Sequence, residues 1–155
     1  MKFKRIAVSF VGLMLLIVGA TVIAQVNRPF RNGSVWSISF IRMKPGMETA
    51  YLNYVSGAWK TEQEAMKKEG LTLSYKVISV EGHTPGEFNL MLMTEYKDLA
   101  TMEAGEDKAD ALSQKVVGTD DKQMQGYRER SEIREVMGIR LGREIVLEAK
   151  KSASE

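Results

Sequence analysis

The 155-residue chain holds one histidine and no cysteine. His83 stands in "EGHTPGE", between Glu81 and Glu87. An imidazole that titrates near neutrality, flanked by two carboxylates, suits acid–base chemistry or metal ligation. A zinc or iron site takes three or more protein ligands in fixed geometry, however. A stretch carrying Gly82, Pro85 and Gly86 constrains few of them. His83 is therefore read as an exposed turn residue, and no metal is assigned. A second set is Tyr51, Tyr54, Trp59, Tyr75 and Asn89. Four rings with polar tips and one amide suit the lining of a pocket for a small hydrophobic ligand between a helix and a sheet. No residue of the set is given a catalytic role, and no cofactor is expected.

Other chemistries are weaker. Ten methionines include Met43, Met47, Met91 and Met93, whose thioethers suit soft Cu(I), but methionine usually fills irregular core space. The run "YRERSEIREVMGIRLGRE" mixes arginine and glutamate without consistent four-residue complementarity, and it reads as a solvated face. There is no Ser-His-Asp set, phosphate-binding glycine loop or useful carboxylate pair.

The elements that would position these residues follow from periodicity. "SVWSISFIRM" alternates, with Trp36, Ile38 and Phe40 on one face and Ser37, Ser39 and Ile41 on the other, as a strand does. Pro45 opens a long helix over about 46–69, where its missing N–H costs nothing. Tyr51, Val55, Trp59, Glu62, Ala65 and Met66 recur at helical spacing, and Gly70 suits the C-terminal cap. "LTLSYKVISV" and "FNLMLMTEY" alternate around the His83 turn and predict an antiparallel hairpin. Residues 97–117 read as a helix broken near Gly105. After a break at 118–121, with Thr119 as a capping residue, "MGIRLGREIVLEA" reads as the last strand. The order is βαββαβ, the α+β ferredoxin-like plan with a four-stranded antiparallel sheet.

The N-terminus has a basic start (Lys2, Lys4, Arg5), an apolar run from Ile6 to Ala24, and small residues at Val22 and Ala24. Residues 1–24 read as a cleaved signal peptide, which makes the protein exported, periplasmic or secreted. The alternative is an uncleaved anchor, since about 19 apolar residues approach a bilayer span. Without its three basic leader residues the chain has 19 basic against 20 acidic side chains. That balance lacks the footprint of a nucleic-acid binder, and no membrane partner is expected after cleavage. The domain is placed at residues 34–148, with 149–155 as a disordered tail.

The helices of this plan cover one sheet face. The other is expected to carry Val35, Ile41, Ile78, Val80, Met91 and Met93, with Ser37, Ser39, Lys76 and Asn89. Trp36 is expected on the helix side. A few hundred Å² of bare apolar surface would cost several kcal/mol at about 25 cal/mol per Å². Two copies packed sheet to sheet would cover it.

"VWSISFIRMKPGMETAYLNYVSGAWK", "KKEGLTLSYKVISVEG" and "FNLMLMTEYKDLATME" resemble exported members of the dimeric α/β-barrel superfamily, over about residues 34–103. That superfamily includes antibiotic-biosynthesis-monooxygenase-like and stress-responsive barrel proteins. The resemblance implies a ferredoxin-like fold and a homodimer through the sheet faces. Haem-degrading members use Asn, Trp and His around the porphyrin. This chain departs from that pattern, because its one histidine lies in a turn. The reading is a non-enzymatic small-ligand-binding or structural envelope protein. The alternative is a cofactor-independent monooxygenase-like enzyme acting on a hydrophobic organic substrate.

Overall fold

The computed structural model describes residues 29–148 except 83 and 85. The leader at 1–24, the tail at 149–155 and the His83 assignment lie outside the described residues. The elements run β1 (Phe30–Met43), α1 (Glu48–Tyr54), a π-helical turn (Val55–Trp59), α2 (Lys60–Lys68), β2 (Ser74–Ser79), β3 (Leu90–Tyr96), α3 (Leu99–Ala104), α4 (Glu106–Val116), α5 (Asp120–Ser131) and β4 (Arg134–Leu147). The four strands form one antiparallel sheet in the order β2-β3-β1-β4. This is the ferredoxin-like arrangement: two split βαβ units with β1 and β3 at the centre.

Local chemistry sets the boundaries. Gly46, at φ +79°, turns the chain from β1 toward α1. Gly70, at φ +72°, ends α2 in a left-handed conformation that costs glycine little. The N–H of Leu71 donates to Met66 and that of Gly70 to Lys67, which answers two orphan carbonyls of the last turn. Asp98 caps α3, its carboxylate accepting from the Thr101 N–H at 2.7 Å. The expected long helix is continuous but inserts a π turn around Gly57. That extra residue keeps Tyr51, Val55, Gln63 and Met66 on one buried side.

The core lies between the helices and one sheet face. Ile41, Met43, Tyr51, Val55, Leu90 and Leu92 form it, with Tyr54, Trp59, Ile133 and Val136 packed around them. Residues opposite one another across antiparallel strands share a face. Val35, Ile41, Met43, Leu90 and Leu92 therefore mark the helix side, where all five are buried.

This corrects the expected phase of β1. Val35 and Ile41 are each 2% exposed in the core, and the Ser37 and Ser39 positions share their side. Trp36, Ile38 and Phe40 face away from the helices. Both faces of β1 carry large apolar residues, so alternation alone cannot choose between them. Two boundaries also move. β1 starts at Phe30 because it continues to pair with the end of β4, Phe30 opposite Leu147. β4 starts at Arg134, and the polar run before it forms α5.

Candidate functional site

The open face is built from three cross-strand rows. They are Ser74–Glu95–Trp36–Gly142, Lys76–Met93–Ile38–Arg140 and Ile78–Met91–Phe40–Gly138. No helix among the described residues covers them. Trp36, Ile38, Phe40, Met91 and Met93 are half-buried by their neighbours, and Ile78 is exposed. Phe88 meets Phe40 edge to face at 4.7 Å. The Lys76 ammonium lies 4.8 Å from the Trp36 ring centroid. Arg42 pairs with Glu135 at one end of the face. Gly138 and Gly142 on edge strand β4 face Phe40 and Trp36; a Cβ at Gly142 would meet Ile38 at 3.6 Å, and one at Gly138 would meet Arg140 at 3.4 Å. The surface is thus an aromatic and thioether floor dotted with charges of both signs.

The five predicted pocket residues make three separate sets of contacts around the core. Asn89 is structural. Its Oδ1 accepts from the Met43 N–H at 2.8 Å, and its Nδ2 donates to the Met43 carbonyl at 3.3 Å. Trp59 and Tyr75 touch edge to face at 5.4 Å, and the Tyr75 hydroxyl donates to Glu64 at 2.5 Å. That bond raises the Tyr75 pKa above its ordinary value. Tyr51 and Tyr54 sit together, ring centroids 5.7 Å apart, at the far end of the helix near β4. The cavity between α2 and the sheet, about 210 Å³, is lined by Gln63, Met66, Thr72, Thr94, Tyr96 and others, with none of the five among them.

Tyr51 and Tyr54 belong to a cluster in which two arginines were missed. The Arg130 guanidinium lies 4.2 Å from the Tyr54 ring centroid. That of Arg134 lies 4.8 Å from Tyr127 and 5.9 Å from Tyr51. Arg134 is 6% exposed, and Arg130 is half-buried. The run read as a solvated face thus places a guanidinium in the interior. Burial raises the pKa of both Tyr51 and Tyr54 above the ordinary tyrosine value, while the nearby arginines pull the other way. The readable signal was an arginine at the first position of an apolar strand, directly after the Ile133 that closes the core.

No family model matches the chain, and no curated protein does. Solved structures do resemble it. A dimeric ferredoxin-like protein from an uncultured marine organism is 15% identical, covers 77% of this chain and 99% of its own, and has a TM-score of 0.48. An EthD family protein from Bacillus halodurans is 18% identical, covering 72% and 98%, with a TM-score of 0.40. A NIPSNAP family protein of unknown function from Agrobacterium tumefaciens is 17% identical, covering 78% and 93%, with a TM-score of 0.42. The ferredoxin-like assignment rests on this chain's own strand order.

Proposed function

We propose that the protein is an exported homodimer, closed sheet to sheet, that holds a small hydrophobic molecule between its two open faces without chemically changing it. The observation that carries this reading is the uncovered aromatic floor of Trp36, Ile38, Phe40, Met91 and Met93. A surface of this composition is normally covered. A second copy suits it because the face is self-complementary in charge. Lys76 and Arg140 share the row next to that of Glu95, so a two-fold rotation can set opposite signs against each other. Aromatic and thioether side chains with a few polar groups are the lining expected of an apolar ligand site.

Two of the polar groups that a reaction at the predicted pocket would use, those of Asn89 and Tyr75, are already engaged. Both ends of the Asn89 amide hold Met43, and the Tyr75 hydroxyl holds Glu64. This favours binding over an oxygenase-like activity. The order of basic, apolar and small residues over 2–24 supports export. Native mass spectrometry of protein purified from its own cells tests the reading. The expected species is a dimer with a reproducible extra organic mass. A monomer would contradict the closed face, and a dimer with no added mass would contradict ligand binding.

A further inference from the structure

We propose that Arg130 and Arg134 form a second binding site, on the helix side of the sheet, for the carboxylate of a small flat organic acid. This site stands whether or not the open face closes a dimer.

Arg134 is 94% buried, and its Nε has no hydrogen-bond partner among the described residues. The Nε of Arg130 is buried and unpartnered as well. The ion pairs between described residues include Arg31–Glu148 and Arg42–Glu135, and neither Arg130 nor Arg134 has a carboxylate within pairing distance among the described residues. Buried charges are as a rule paired, because leaving water is costly for an ion. The tyrosine rings supply cation–π attraction, and the Tyr51 hydroxyl oxygen accepts one side-chain hydrogen bond from Arg134. None of these is a countercharge, and two like charges share one cluster.

The surroundings say what would answer them. A hollow of about 480 Å³ beside α5 is lined by Asp120, Gln123, Met124, Tyr127 and Arg130. Met124 and Tyr127, 54% and 50% exposed, offer apolar and aromatic contact at its mouth. Gly126 lets the Arg130 guanidinium lie back along the helix, since a Cβ there would stand 2.8 Å from its Nη1. A carboxylate matches the planar guanidinium fork. Arg130 makes the contact, and Arg134, behind the Tyr127 ring, adds positive charge in a weakly screened interior. Asp120 faces the same hollow, its carboxylate accepting from Gln114 Nε2 at 3.1 Å. That negative charge favours a singly charged acid over a phosphate.

Calorimetric titration of the protein, expressed from its full sequence and purified as the cell processes it, decides the matter. The probes are benzoate, its neutral isostere benzamide, and inorganic phosphate at low salt. Benzoate is expected to saturate at one per chain. Benzamide and phosphate should bind roughly tenfold or more weakly, and Arg130→Gln should weaken benzoate by a similar factor. Arg130→Lys should recover part of the loss, and Trp36→Leu should change nothing. Equal binding of benzamide, tighter binding of phosphate, no uptake of benzoate, or full affinity in Arg130→Gln would each overturn the proposal. Loss of benzoate in Trp36→Leu with retention in Arg130→Gln would also overturn it, by moving the ligand to the sheet face.

Discussion

The open sheet face and the cluster beside α5 both set a cation against an aromatic ring, with different surroundings. On the open face, Lys76 lies over Trp36 with its charge exposed to water. Beside α5, Arg134 lies between Tyr127 and Tyr51 with 6% of its surface exposed. Water solvates the first cation, so its ring contact is a small increment. The second has given up most of its water without gaining a carboxylate. The first region is unfinished in its apolar surface and calls for a cover. The second is unfinished in its charge and calls for an anion. The two needs are separable by mutation.

The largest expected effect comes from placing a charge in the open face. Phe40→Asp should weaken the dimer by at least about 2 kcal/mol, the scale of an interface hot spot, and leave a folded monomer in sedimentation. Tyr51→Ala comes next, acting on the other region. It empties a 2% exposed ring from the core and strands Arg134 further, so a loss of about 3–5 kcal/mol is expected in urea unfolding. Arg134→Met sharpens the contrast by going the other way. Replacing an unpaired buried guanidinium with an apolar chain of similar length should raise stability by about 1 kcal/mol. A loss of more than about 2 kcal/mol would show that the charge is structural.

A pH effect should also belong to the cluster. Tyr51 and Tyr54 hold their protons more tightly folded than unfolded. Their contribution is therefore fully present below about pH 10 and lost as pH rises through their higher folded values. Urea midpoints at about pH 9 and about pH 11 should fall in that order, and less steeply in Tyr54→Phe. The smallest effect is expected at the lone histidine. His83→Ala should shift stability by under about 0.5 kcal/mol and leave assembly unchanged, read by the same unfolding and sedimentation measurements.

Element order and sheet class were legible because each strand alternates and the first helix keeps its buried spacing through Tyr51, Val55 and Met66. The phase of β1 was not. A strand with Trp36, Ile38 and Phe40 on one side and Val35, Ile41 and Met43 on the other has two apolar faces, and only the packed helices select the core. The contacts of the proposed pocket residues were not legible for a related reason. Helical spacing puts Tyr51 and Trp59 on one side of the helix around the same core, but it does not tell that Trp59 meets Tyr75 and Tyr51 meets Tyr54. Asn89 looks free in a sequence and proves to be a clamp on Met43. Arg134 was hidden by its composition, since an arginine among glutamates reads as surface until the strand that starts with it is seen to begin inside.

The central claim is that the open face meets a second copy of itself. The chain has no native cysteine, so one introduced thiol reports a single position. Met93→Cys lies in the middle row of the face, and Lys60→Cys lies on exposed α2. A thiol-to-thiol cross-linker spanning about 10 Å matches the spacing of two packed sheets. The account predicts covalent dimers from Met93→Cys and monomers from Lys60→Cys. Equal yields from the two variants, or a linked product from Lys60→Cys alone, would contradict it.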